Sequence, residues 1–351
     1  MVKDNKINLG IIGLSEGNGH PYSFSAIING YDKTAMKQSG WDVIYNYLLK
    51  CDEQDFLNRE DVAITHLYTQ DSLLSSQLSS ACNIPHITHS LVELAQSPID
   101  GVILARDDWQ SHLNFAKIFL ESNKFVFIDK PLSLNADDIA YFSPFLANAK
   151  LMSCSGMRYA RELDDIRKAI KEDNHKVHFI EASIGSAWDR YLIHLLDAIM
   201  GIIHFEALHI EVIRLEYCIS VLIQTKDFMI QLNNRQASFQ PCTLHIITDK
   251  NHYNITLSDN FSAFRRTMGH FVDFIQGKYY FDFHSTLESM RILSRIHTLL
   301  NMQDSKTYKA SNVSGGGDNT LILKPFIFPF IPNYPLNSLI YPSPTSCMEV
   351  A

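Results

Sequence analysis

GIIGLSEGNGHPYSFSAIING, residues 10–30, runs from an apolar strand through a loop holding Gly13, Gly17 and Gly19 into a helix expected from about Ser23. A strand, a glycine turn and a helix in that order present backbone N–H groups to a phosphate at the helix N-terminus. The spacing departs from GxGxxG, because the second and third fingerprint places after Gly13 hold Ser15 and Asn18. From this loop alone two readings stand: a dinucleotide cradle built on Gly13, Ser15, Gly17 and Gly19, and a βα turn with no ligand. His20 is read as a polar group ordering the turn, since no cysteine, carboxylate or histidine stands near it at metal-ligand spacing.

Outward from this stretch, short apolar runs recur at INLGIIGL, VAITHLYT, GVILARDD and FVFIDKP, separated by the helix-like SLLSSQLSSACN and WQSHLNFAKIFLESNK. Strands alternating with helices predict a doubly wound parallel sheet over residues 1–150. After about residue 150 the texture changes. KVHFIEASIG, EALHIEVIRLEY, CISVLIQTK, FMIQLNNRQA and CTLHIITDKNHYNITLSD read as successive strands, several joined by tight turns, and predict a mostly antiparallel sheet within an α+β domain over 151–305. The junction is expected near LMSCSGMRY. From SNVSGGGDN onward the chain turns Gly/Pro-rich, and residues 306–351 are assigned no regular structure.

Hydrophobic residues make up 46% and charged residues 19% of the 351 positions, the balance of a chain with a large packed interior. A net charge of -8 opposes the broad electropositive surface that nucleic acid requires. Six scattered cysteines without a CxxC pair fit reduced thiols in a cytosolic protein, and no metal site is expected among the dispersed histidines. No signal peptide is evident, and the apolar stretch near the end is broken by proline too often to span a bilayer.

The second element of a dinucleotide fingerprint is an acidic residue closing the next strand, where it meets the adenosine ribose. That strand ends in Thr69, Gln70 and Asp71, far beyond the usual ~20-residue spacing, so residues 31–61 read as an insertion. Asp71, or Thr69 in its place, is the ribose candidate. With no arginine following to grip a 2'-phosphate, the choice leans toward NAD over NADP. In ARDDW, Ala105 closes the next strand at the carboxyl edge. Asp107 and Asp108 carry two equal readings, ligand contact and capping of the helix near Trp109.

FVFIDKPLSLNADDI resembles the strand and EKP signature of the glucose-fructose oxidoreductase, inositol dehydrogenase and rhizopine-catabolism family (Gfo/Idh/MocA), with Asp129 in place of the glutamate. DGVILARDDWQSH before it and GSAWDRYLIHLLDAI after it extend the resemblance over residues 7 to about 300, and GHP and YTQD resemble a less-studied branch. The resemblance implies a Rossmann domain followed by an α/β domain whose open sheet makes homo-oligomer contacts. It also implies a nicotinamide cofactor held near Asp129, Lys130 and Pro131, and a polyol or sugar substrate. Lys130 matches the motif lysine and His194 the histidine of the second domain. Arg158, Tyr159, Trp188 and Arg190 fall on the substrate side, with a structural ion pair the plainer reading of the GMRYA stretch that holds Arg158 and Tyr159. The aspartate usual four places before that histidine is replaced by Arg190, and Asp189 stands one place off, turned about 140° on a 3.6-residue helix.

Hydride transfer requires a base for the hydroxyl proton and a cation beside the developing alkoxide. His194 suits the first role and Lys130 the second. The plainer reading of His194 is a helix-face histidine satisfied by Asp197, three residues on. The reaction expected is NAD(P)-dependent oxidation or reduction of a carbinol on a sugar, cyclitol or related polyol. Its rivals are a dinucleotide-binding regulator without turnover and a redox-neutral lyase or hydrolase that retains its NAD.

Overall fold

The first sheet is built from six short runs, the central ones buried on both faces. β1 (Ile7–Ile12), β2 (Val62–Tyr68), β3 (His86–Ile87), β4 (Gly101–Leu104), β5 (Phe125–Ile128) and β6 (Leu151–Ser153) lie parallel in the order β3-β2-β1-β4-β5-β6. Leu9, Ile11, Ile12, Val102 and Ile103 are all fully buried, as a sheet covered by helices on both sides demands. The connections carry α1 (His20–Asn29), α2 (Lys33–Gln38), α3 (Asp42–Leu48), α4 (Ser72–Cys82), α5 (Leu91–Gln96), α6 (His112–Glu121) and α7 (Ala136–Ala147). This computed structural model describes residues 6–57, 59–235 and 241–312.

Three readings of the sequence shift. The first helix begins at His20 rather than Ser23, because Pro21 fits a first turn that needs no N–H from it. The expected insertion supplies α2 and α3. Leu151–Ser153, placed at the domain junction, is the sixth strand of the first sheet, and its three residues are too few to show a period.

The second sheet contains β7 (Val177–Gly185), β8 (His209–Leu215), β9 (Cys218–Gln224), β10 (Met229–Arg235), β11 (Cys242–Thr248) and β12 (His252–Leu257), in the order β12-β11-β7-β10-β9-β8. Among the described residues, only β7 and β10 pair in parallel in this sheet. Alternate residues Ile180, Ala182, Ile219, Val221, Ile230 and Leu232 are buried, while the opposite face is left open. Between and after these strands come α8 (Asp164–Lys171), α9 (Trp188–Met200), α10 (Asn260–Ile275) and α11 (Phe283–Asn312). α9 packs on β7 and β10, whereas α10 returns to the first half and packs on α1, with Phe271 against Phe127.

Both sheets thereby belong to one compact unit, residues 1–305. The final helix runs past the expected start of the tail at 306, and the Gly/Pro-rich stretch from 313 lies outside the described residues. No helix among the described residues is long and apolar enough to cross a membrane.

Candidate functional site

The order of strands reverses between β1 and β4, the position where ligands collect over the carboxyl edge of an open parallel sheet. The loop after β1 is fastened there from three sides. Gln70 accepts the Leu14 N–H at 3.0 Å and donates to the Leu14 carbonyl at 2.9 Å. Arg106 donates to the same carbonyl at 2.7 Å, and Arg190 to the Glu16 carbonyl at 3.0 Å. The N–H groups of Ser15, Glu16, Gly17 and Gly19 make no hydrogen bond among the described residues.

The glycines of this loop serve mainly its packing. A Cβ on Gly13 would lie 2.6 Å from Pro21 Cγ, and one on Gly19 would lie 2.5 Å from Ile44 Cδ1 and 2.6 Å from the Trp41 ring. Gly17 has φ 74, a left-handed conformation that glycine adopts without strain.

Asp107, just beyond β4, is 3% exposed and collects three partners: Ser15 Oγ at 2.7 Å, Arg190 Nη2 at 2.6 Å and Lys130 Nζ at 3.5 Å. Burial pushes its carboxyl up, but the Lys130 charge and the bonds from Arg190 and Ser15 outweigh this and hold it well below the usual carboxylate range. Of the two readings of the ARDDW aspartates, capping is not met: Asp108 pairs with Arg106 at 2.8 Å and makes no side-chain cap.

Lys130, two residues past the end of β5, is 3% exposed, with Nζ 5.3 Å over the Tyr191 ring. Asp129 beside it accepts the Lys130 N–H at 2.9 Å on one oxygen and Asn18 Nδ2 at 3.2 Å on the other, which also meets His20 Nδ1 at 2.6 Å.

His194 comes from the middle of α9, with Nδ1 2.6 Å from Ser155 Oγ. Burial first, then the facing charge of Lys130, push its imidazole well below the ordinary value and keep it neutral. Asp197 does not satisfy His194. Its carboxylate takes the Ser155 N–H and the Arg158 guanidinium, each at 2.5 Å, so it reaches His194 only through Ser155.

His20, Asp107, Lys130, Tyr191 and His194 line one cavity of about 490 Å³ with the loop residues Gly17 to Gly19. Opposite them α3 and its neighbours present Trp41, Val43, Ile44 and Tyr47, joined by Met157 and Phe264. Such a lining, apolar with a few convergent polar groups, is the usual make-up of a small-molecule site.

Other expected residues lie elsewhere. Thr69 bonds to the Asp71 carbonyl and Ser75, Asp71 Oδ1 caps α4, and Ala105 continues β4 by bonding to Ile12; with Gln70, none lines the cavity. Arg158 is a buried ion-pair partner of Asp197, and Tyr159 packs against His270 and Tyr279, because the turn that carries them lies under α9 and α10. Trp188 packs against His297, and Arg190 turns to Asp107. Asp189 sits in the first turn of α9 and makes no hydrogen bond to His194 or Lys130 among the described residues.

The sequence does not mark Tyr191, Ser155 or the aromatic wall as site residues. Only Tyr191 left a signal, standing three residues before His194 on one helix face.

No protein-family model matches this chain, and no curated protein matches it. Among solved structures, scyllo-inositol dehydrogenase from Lactobacillus casei in its apo form superposes with a TM-score of 0.66 at 13% identity, over 84% of this chain and 95% of that one. The same protein with bound NAD(H) and scyllo-inositol gives 0.62 at 13% identity, over 82% and 95%. Myo-inositol 2-dehydrogenase from Lactobacillus plantarum gives 0.66 at 11% identity, over 85% and 98%. The chain therefore has the two-sheet fold of the inositol dehydrogenases, the fold that its IDKP and GSAWDR motifs resemble.

Proposed function

We propose that this chain is an oxidoreductase that moves hydride between a nicotinamide dinucleotide and a carbinol carbon of a sugar, cyclitol or related polyol. The observation that carries the reading is the meeting of Lys130 and His194 in one cavity beside the β1–α1 loop. The structural neighbours, which include an enzyme holding NAD(H) and scyllo-inositol, support it.

The residues present fit a dinucleotide. Among the described residues the N–H groups of Ser15, Glu16, Gly17 and Gly19 are free and suit its phosphates, and Asp71 keeps Oδ2 without a hydrogen bond for the adenosine ribose. A 2'-phosphate would face that carboxylate, and Arg106 beside Gln70 is already committed to Asp108 and Leu14, so NAD stands ahead of NADP. The bound cofactor supplies a hydride acceptor and donor.

Lys130 holds an ammonium in a nearly dry site, where it stabilises an alkoxide far better than it would in water. Asp107 and the Tyr191 face fix its position. His194, kept neutral, orients a substrate hydroxyl rather than retaining its proton. The ring wall of Trp41, Tyr47 and Phe264 suits the C–H face of a cyclic polyol.

In this reading the nucleotide half ends after β6 and the substrate half runs to about residue 305. The protein acts in the cytosol as a homo-oligomer. The five described cysteines are free, and the open sheet exposes Ile213, Leu215 and Met229 for a second copy.

Calorimetric titration with NADH and NADPH, followed by an absorbance screen of inositols and aldoses with each oxidised cofactor, tests the proposal. Micromolar binding with turnover of at least one polyol is expected. Binding without turnover on any of them, unchanged in Lys130→Ala, would leave a regulator instead.

A further inference from the structure

Two imidazoles line the cavity, and opposite chemistries hold their Nδ1 atoms. His194 leans on a hydroxyl and faces the Lys130 ammonium, so a proton placed on it meets a like charge, and the carboxylate that acts on it, Asp107, is already engaged by Lys130 and Arg190. His20 leans on Asp129 at 2.6 Å. That carboxylate is 3% exposed in its side chain, and Asn18 and the Lys130 N–H hold it from two further directions. A carboxylate only accepts hydrogen bonds, so the proton between the two belongs to His20 Nδ1, and the neutral ring keeps a bare Nε2. Phe24 at 5.2 Å and Phe264 at 4.9 Å grip the ring, while 20% of the side chain stays exposed.

We propose that His20, held by Asp129, is the group that accepts the substrate hydroxyl proton; this rests on the oxidoreductase reading above. In oxidation the carbinol C–H bond breaks and its electron pair leaves with the hydrogen to the nicotinamide. The O–H bond breaks, its proton goes to His20 Nε2, and the carbonyl forms. Asp129 faces the resulting imidazolium, the arrangement that stabilises such a cation in hydrolase triads. Reduction runs the same transfers backwards. His20 is then a catalytic residue and Asp129 its positioning residue. The aspartate that replaces the motif glutamate acquires a purpose: its carboxylate reaches His20 and Asn18.

The experiment has two parts. Nitrogen-15 spectra of the histidines in wild-type protein are expected to show His20 as the Nδ1–H tautomer and Asp129→Asn to lose it; an Nε2–H tautomer in wild type overturns the proposal. Turnover with NAD and whichever inositol or aldose wild type oxidises is expected to fall about 10²–10⁴-fold in His20→Ala. Calorimetric affinity for NADH is expected to hold within a few-fold, and added imidazole to restore rate. Undiminished turnover, or a loss that imidazole fails to restore, overturns the assignment. Should the alanine variant misfold, Asp129→Asn carries the same test through its tautomer and rate. Failure of the underlying reading looks different: wild type itself then neither binds dinucleotide nor oxidises any polyol, and the proton-acceptor role falls with it.

Discussion

The two sides of the cavity solve one problem differently. On the parallel-sheet side, Asp107 and Asp129 touch their partners directly, an ammonium, a guanidinium and an imidazole. On the α9 side the carboxylate of Asp197 is one residue removed, acting on His194 through Ser155. A carboxylate in contact fixes charge as well as direction, since charge-assisted bonds are the stronger kind. One that holds only the backbone N–H of the residue whose hydroxyl meets the imidazole fixes direction alone. The difference teaches that residue type does not set the chemistry of an imidazole here; its immediate neighbour does.

The largest effect should come from breaking the charged side. Asp107→Ala leaves Lys130 buried without its counter-charge and is expected to cost about 3–5 kcal/mol in urea unfolding. A loss below about 1 kcal/mol would show that this side is not held by charge. The folded-state carboxyl lies below its unfolded value, so its contribution is complete above about pH 4 and disappears as the solution is acidified further. Wild type and Asp107→Asn should therefore converge in stability at low pH.

Lys130→Met is expected to lower kcat about 10²–10³-fold, the usual cost of losing one stabilising donor at a developing oxyanion. Dinucleotide affinity should change only a few-fold, and a fall in affinity with kcat preserved would move Lys130 from chemistry to binding. On the other side, Ser155→Ala strands the Met157 N–H and His194 Nδ1. About 1–3 kcal/mol should be lost. A neutral outcome would mean that water replaces the hydroxyl and that the α9 side is less rigid than its geometry indicates.

The smallest effect concerns titration. His194 is neutral in the folded chain, while the unfolded chain binds a proton there below about pH 6.5. Wild type should lose stability relative to His194→Gln as pH falls through and below that point, by at most about 1.4 kcal/mol per pH unit. A constant difference between pH 7.5 and 5.5 would contradict the burial of this imidazole.

The fold was legible wherever a run was long enough to show its period. β4 and β5 are continuous apolar runs and β1 nearly so because both faces are covered, and β9 and β10 alternate because one face is open. β3 and β6, with two and three residues, carry no period and went unread. The site divides in the same way. Lys130 and His194 could be found because flanking motifs mark them. The pairing of Asp107 with Lys130 and Arg190, and of His20 with Asp129, joins residues 23, 83 and 109 positions apart, which no local pattern encodes. For Arg158 and Tyr159 the plainer reading holds over the substrate-side one for a related reason, since a turn that looks like a cleft edge in sequence is covered once α9 and α10 pack over it and Arg158 pairs with Asp197.

Trp41 gives the wall of the cavity one more use. Of the chain's three tryptophans it alone lines that space, while Trp109 and Trp188 both pack against His297. Its ultraviolet emission should therefore change whenever something enters, against a steady background from the other two. Subtracting the spectrum of Trp41→Phe turns the protein into its own optical gauge of occupancy, with no label attached.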